Sequence, residues 1–125
     1  MTWTVMIVDD EEMTRNLLRL MLTPAGYTVV EAEDGVDAME KIAARPPDIV
    51  LLDVMMPRMD GIEVCRAVRR QPETAALPII MVSAKTSHQA VEEGLAAGAN
   101  KYLSKPIARK HLLAVLDEVL QPTNA

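Results

Sequence analysis

Asp9, Asp10, Asp53, Ser83 and Lys105 are the residues of this 125-residue chain whose types and placement could do chemistry. Each stands at the end of a short apolar run. Trp3 to Val8 leads into Asp9-Asp10, Ile49-Val50-Leu51-Leu52 into Asp53, Ile79-Ile80-Met81-Val82 into Ser83, and Tyr102-Leu103 into Ser104-Lys105. If these runs are parallel strands, their polar ends share one edge of a sheet, and open α/β sheets bind ligands at that edge. Carboxylates brought together there repel: two unit charges about 4 Å apart cost roughly 4 kcal/mol at an effective dielectric of about 20. Lys105 offsets only part of that charge. A divalent cation would offset the rest, and oxygen donors without His or Cys select magnesium, with manganese or calcium as substitutes. A metal, an ammonium, a hydroxyl and a central carboxylate suit a phosphoryl group, with Asp53 as nucleophile and an aspartyl phosphate as product.

The elements that must position these groups can be read from the pattern. The Asp53 run is short and lacks a helical stripe, so it reads as a strand covered on both faces. Strands are also expected at Trp3–Val8, Tyr27–Glu31, Pro78–Ser83 and Lys101–Ser104. Helices are expected at Glu12–Leu22, with Leu17, Leu18 and Met21 at helical spacing, and at Val36–Ala44, Gly61–Arg70, Ser87–Ala97 and Ile107–Leu120. Thr23-Pro24-Ala25-Gly26 and Pro46-Pro47 stop the first two helices, and Gly98 is the expected C-terminal cap of the fourth. Gln121 to Ala125 reads as a polar tail. Strict strand–helix alternation predicts an α/β fold, a five-stranded parallel sheet with helices on both faces.

The length suits one domain over 1–125 with a core of its own. That core must be aliphatic, since Trp3, Tyr27 and Tyr102 are the only aromatic residues and nine Met fill gaps. A net charge of −5 argues against direct nucleic-acid binding, which needs a basic face. One cysteine forms no intrachain disulfide and fits a reducing compartment. No apolar run approaches membrane-spanning length and no signal pattern opens the chain, so a cytoplasmic protein without a membrane partner is expected.

The chain resembles the CheY-like family of response-regulator receiver domains of two-component signalling. The resemblance rests on Val8-Asp9-Asp10-Glu11, Leu51-Leu52-Asp53-Val54-Met55-Met56-Pro57, Asp60-Gly61, Val82-Ser83-Ala84, Gly98-Ala99 and Tyr102-Leu103-Ser104-Lys105-Pro106, which follow the family order over the whole chain. It implies a flavodoxin-like (βα)5 fold with strand order 2-1-3-4-5. It implies Asp53 as phosphoacceptor, Asp10 and Asp9 as Mg²⁺ ligands directly and through water, and the Met55 backbone carbonyl as a further metal ligand. It also implies Ser83 as switch hydroxyl, Tyr102 as aromatic switch, Lys105 as the phosphoryl-pairing lysine, and a cis Lys105–Pro106 bond aiming that lysine at the site. The implied partners are a histidine kinase or histidine phosphotransfer protein, and an output protein or effector domain reached through the fourth helix, fifth strand and fifth helix. A homodimer through that face stays open, as does the choice between a stand-alone regulator and a receiver from a longer chain. The activity implied is signalling with self-catalysed phosphorylation and dephosphorylation of the aspartate, not metabolic catalysis.

Plainer readings compete. One acid at a strand end is most simply a loop carboxylate; three, with Lys105 and Ser83 at converging ends, argue for a site. Tyr102 alone reads as edge packing, Ser83 as a cap, Cys65 as core, and Arg66, Arg69 and Arg70 as a solvated helix face. His88 and His111 lack ligand companions. Haloacid-dehalogenase-like phosphatases also use an aspartate nucleophile, but they place a second aspartate where this chain has Met55. A flavin-binding relative would need a Gly/Ser/Thr-rich phosphate loop where Asp9-Asp10-Glu11-Glu12 stands.

Overall fold

Alternating apolar runs and amphipathic helices fold as the pattern requires. In a computed structural model describing residues 2–121, strands β1 (Thr4–Val8), β2 (Thr28–Ala32), β3 (Ile49–Asp53), β4 (Ile79–Ser83) and β5 (Lys101–Ser104) alternate with helices α1 (Glu12–Leu22), α2 (Gly35–Ala44), α3 (Gly61–Arg70), α4 (His88–Ala96) and α5 (Arg109–Leu120). From residue 122 the expected polar tail lies outside the described residues. All pairings are parallel and the strand order is β2-β1-β3-β4-β5. No helix among the described residues is long and apolar enough to cross a membrane.

Alternation along each strand divides the core between the two faces of the sheet. Met6, Val8, Val50, Leu52, Ile79 and Met81 point to one face and pack with Ala38 and Ile42 of α2 and Ile62, Val64, Cys65 and Val68 of α3. Val5, Ile7, Ile49, Leu51, Ile80 and Val82 point to the other, against Leu18 and Leu22 of α1 and Leu112, Val115 and Leu116 of α5. Every residue of β3 and β4 is buried, as expected for strands covered on both faces.

Element boundaries shift where backbone groups are already engaged. Tyr27 N–H donates back to Leu22 O, so β2 starts at Thr28. Pro78 has no N–H to pair, and β4 begins at Ile79, whose N–H goes to Asn100 Oδ1. Ser87 caps α4 by accepting from Ala90 N–H. Ile107 packs into the α1–α5 core instead of opening the last helix, which begins at Arg109. Thr23–Ala25 forms a 3-10 turn ended by Gly26 at φ 100°, and Gly98 closes α4 at φ 116°, backbone conformations that favour glycine.

Two sequence expectations need correction. Leu17 is half exposed, because Leu18 and Leu22 take the buried side of α1. Arg69 is no solvated residue. It donates from Nε and Nη2 to Gly98 O (3.0 and 2.8 Å), from Nη1 to Leu77 O (2.7 Å) and from Nη2 to Asn100 Oδ1 (3.0 Å). Cys65 is fully buried, with Sγ 3.4 Å from Ala97 O.

Candidate functional site

Parallel pairing brings the polar strand ends to one edge. Asp53 is the last residue of β3 and lies opposite Val82, one residue before Ser83. Asp9 follows β1, and its N–H continues the ladder to Ala32 O of β2. One carboxylate oxygen from each of Asp9, Asp10 and Asp53 lies within 4.8 Å of the other two. Asp9 and Asp53 are buried, while Asp10 is exposed.

Lys105 reaches this cluster from the end of β5. Its N–H donates to Ser83 O (3.0 Å), which fixes its backbone beside β4. Its ammonium lies 2.9 Å from Asp9 Oδ2 and 3.5 Å from Asp53 Oδ1. The Lys105–Pro106 bond is cis, as the resemblance implied. Asp9 Oδ1 accepts from Glu11 N–H at 2.9 Å, so both of its carboxylate oxygens are occupied. Asp53 accepts only a long 3.4 Å bond from Met55 N–H besides the lysine.

The electrostatics follow. Burial, and then Asp9 close by, push the Asp53 carboxyl up to about 6, against the opposing pull of Lys105. Burial acts against the Lys105 ammonium, yet the hydrogen bond to Asp9 and the charges of Asp53 and Asp9 move it above its usual value. Three acids therefore gather where the Lys105 ammonium reaches only two of them, Asp9 and Asp53, and the donor set is all oxygen. That set fits Mg²⁺, and the fit rests on the convergence of Asp9, Asp10 and Asp53.

Among the described residues no hydrogen bond joins the Ser83 or Tyr102 hydroxyl to the acids. Ser83 is fully buried, and its Oγ accepts from Lys85 N–H at 3.0 Å. Capping of the loop, rather than of a helix, is thus its present role. Tyr102 is half buried, with its hydroxyl donating to Lys85 O at 2.6 Å. One residue, Lys85, links the two hydroxyls through its N–H and its carbonyl. His88 pairs with Glu92 across one exposed turn, and His111 is exposed on α5.

Several supporting residues escaped the sequence reading. Gly61 starts α3 against the backbone of Asp53 and Val54: a Cβ there would collide with Asp53 O and lie 2.8 Å from Val54 Cα. The dipeptide Asp60-Gly61 is among the motifs that carry the resemblance, but only the fold reveals this close approach. Asp60 and Glu63 form a reciprocal capping box that holds the same junction. Arg58, at φ 68°, binds Asp34 Oδ2 through Nη2 (2.7 Å) and Nε (2.9 Å), tying the loop after β3 to the start of α2. The Arg58 hydrogen bond, together with one from the Asp37 N–H, holds the Asp34 carboxyl below its usual range. Gly94 leaves room for the Tyr102 ring, since a Cβ there would lie 2.9 Å from Tyr102 Cδ2. Arg15 contacts the Asp9 carbonyl. Arg15 and Asp9 lie 6 residues apart and Arg58 and Asp34 24, and no local pattern announces either pair, whereas the Asp60–Glu63 box, three residues apart, carries a local signature.

Residues 5–117 match the family profile described as the response regulator receiver domain. A response regulator, MprA of Mycobacterium ulcerans, is 46% identical over 123 residues, covering 98% of this chain and 52% of the relative. The chain therefore spans about half the length of such curated relatives. Among solved structures, chemotaxis protein CheY4 of Vibrio cholerae superposes with a TM-score of 0.90 at 38% identity, covering 96% of this chain and all of its own. A putative response regulator from Chloroflexus aurantiacus gives 0.93 at 38% identity, covering 96% and 98%.

Proposed function

From the premise that this chain belongs to the response regulator receiver domain family of two-component signalling, we propose that residues 1–125 form a single receiver that works as a phosphorylation-driven switch with Asp53 as its phosphoacceptor. The observation that carries this reading is the convergence of Asp9, Asp10 and Asp53 at the carboxyl edge of the sheet, with the Lys105 ammonium against Asp9 and Asp53. Asp53 is the central member, buried at a strand end and poorly hydrogen-bonded, so its oxygens are free for a reacting group.

In this reading a phosphohistidine, on a histidine kinase or a histidine phosphotransfer protein, presents its phosphoryl group to the edge. A carboxylate oxygen of Asp53 attacks phosphorus. The P–N bond breaks and its electron pair leaves with the imidazole, so an acyl phosphate forms on Asp53. Mg²⁺, when held by Asp9, Asp10, Asp53 and the Met55 carbonyl, supplies positive charge to the phosphoryl oxygens. Lys105 supplies the rest, moving its ammonium from Asp9 toward the new oxygens. Water later attacks the same phosphorus, releases inorganic phosphate and restores the carboxylate. No separate metabolic substrate is involved.

The switch uses the Lys85 link. New acceptor oxygens on Asp53 draw the Ser83 hydroxyl away from Lys85 N–H, which loosens the loop that anchors the Tyr102 hydroxyl. The ring then turns inward over Gly94, and the face made by α4, β5 and α5 changes shape for an output partner, an effector domain or a second copy of the chain. A kinase donor and the lone, buried thiol of Cys65 fit a cytoplasmic location.

The test is phosphoryl incorporation from acetyl phosphate or phosphoramidate, read by intact mass. Wild type is expected to gain one phosphoryl group, only with Mg²⁺, and Asp53→Asn to gain none. An adduct that survives in Asp53→Asn, or no adduct with any divalent metal, would overturn the assignment.

A further inference from the structure

Arg15 sits in the first turns of α1 with its side chain only 15% exposed. Its fork makes two different contacts. Nε donates to Glu31 Oε1 of β2 at 2.9 Å, and Nη1 donates to the backbone oxygen of Asp9 at 2.7 Å. Arg19, one turn later, pairs with the same Glu31 but makes no contact with Asp9. Lys41 of α2 donates to the backbone Glu31 O at 2.6 Å, so the residue that carries the carboxylate is itself held. Burial raises the Glu31 carboxyl, but hydrogen bonds from Arg19 and Arg15 more than compensate and leave it below its usual range. The glutamate is an ionised anchor.

The consequence lies in the Asp9–Asp10 peptide. Asp9 is fixed at its N–H by Ala32 O, at Oδ1 by Glu11 N–H and at Oδ2 by Lys105. Asp10 is exposed, and among the described residues no hydrogen bond holds its carboxylate. The backbone sets the direction of its Cα–Cβ bond, and hence the space its carboxylate can reach. The peptide plane before it is pinned at one point, the Asp9 oxygen in the grip of Arg15.

Resting on the receiver reading above, we infer that Arg15 is a positioning residue for the metal: anchored by Glu31, it orients the Asp9–Asp10 peptide so that both carboxylates face the cation together with Asp53. Outer partners that orient metal ligands typically account for 10–100-fold in affinity. Electrostatics alone predicts the reverse. Arg15 is a positive charge beside a cation site, so its removal should tighten metal binding. The sign of the change separates positioning from charge.

The experiment is Mg²⁺ titration by calorimetry on the whole chain, without phosphodonor, for wild type, Arg15→Ala, Arg15→Lys and Arg19→Ala, with thermal melts in metal-free buffer to confirm folding. Arg15→Ala is expected to bind Mg²⁺ about 10-fold more weakly. Arg15→Lys, which keeps the charge but not the planar fork, should fall between it and wild type. Arg19→Ala should stay within about twofold of wild type or bind slightly tighter. With saturating Mg²⁺ the phosphorylation rate of Arg15→Ala should return close to wild type. Wild-type affinity in both Arg15 variants, tighter binding in Arg15→Ala, or equal weakening in Arg19→Ala would each overturn the inference and leave the receiver reading standing. Absence of Mg²⁺ binding in wild type would bring down both.

Discussion

Both edges of the sheet carry charged and polar side chains, yet they are built on opposite terms. At the amino-terminal edge three such groups, Asp48, Asn100 and Arg69, satisfy backbone N–H and C=O groups, and Lys101 pairs with Glu118. Asp48 Oδ2 accepts from Thr4 N–H, Asn100 Oδ1 from Ile79 N–H, and Arg69 donates to Leu77 O and Gly98 O at the entries to β4 and β5. No charge there competes with a like charge for the same partner. At the carboxyl edge three carboxylates converge, Lys105 reaches two of them, Asp9 and Asp53, and Asp53 is left with a pKa lifted to about 6. A satisfied cluster fixes the fold. An unbalanced one, kept at the ends of two largely apolar strands, β1 and β3, asks for a ligand. Polar residues at a sheet edge therefore say little by themselves, and the ratio of charges to partners separates staple from site.

The largest effect should come from removing the cation that contacts the carboxylates of Asp9 and Asp53 at the crowded edge. Lys105→Ala takes away the group placed to neutralise phosphoryl oxygens, and loss of one such donor typically slows chemistry about 10²–10³-fold. Mg²⁺ affinity should not fall, because the three carboxylates remain and a competing positive charge is gone. Stopped-flow phosphorylation and metal titration of the same variant read the two quantities. Equal loss of both would mean that the lysine merely shapes the site, and the contrast between the edges would weaken.

At the opposite edge the expected pattern inverts. Arg69→Ala leaves Leu77 O and Gly98 O without their donor, at a cost of about 3 kcal/mol, or ~10 °C in melting temperature. Mg²⁺ binding and adduct formation should persist wherever the variant is folded. Thermal melts beside the mass assay decide it. A variant of normal stability that no longer accepts phosphate would place function at the wrong edge.

The same contrast explains what the sequence could disclose. The carboxyl edge was legible because each functional group directly follows an apolar run, so strand and chemistry share one stretch of chain: Leu52 into Asp53, Val8 into Asp9, Val82 into Ser83. Strand–helix alternation gave the layers for the same reason. Arg69 was not legible, since helical spacing beside Arg66 and Arg70 reads as solvated until β4 and β5 bring Leu77 O and Gly98 O to it. Arg15, Arg58 and Asp34 are alike in this respect. Their partners are backbone oxygens or loop residues whose position is a product of topology. Gly61 and Gly94 are harder still, because their role is the space they leave for Asp53 and Tyr102.

The smallest effect is also the most direct measure of the imbalance. Asp53 has a folded pKa of about 6, above the ordinary value of 3.8, so the folded chain holds this proton more tightly than the unfolded one. Its contribution to stability is thus greatest below about pH 4, falls as the pH rises toward 6, and is flat above that. Asp53→Asn keeps the shape and removes the titration. In metal-free buffer at pH 8 the variant should be the more stable protein, by about 1–2 kcal/mol or ~5 °C. At pH 4, where the wild-type carboxyl is protonated, the gap should close. Adding Mg²⁺ at pH 8 should raise the wild-type melting temperature more than that of the variant, because the cation relieves a repulsion the variant lacks. Melting temperature against pH, with and without Mg²⁺, supplies all three comparisons. A gap independent of pH, or a variant less stable at pH 8, would mean that Asp53 is as well satisfied as Asp48 or Asn100, and the two edges would no longer differ in kind.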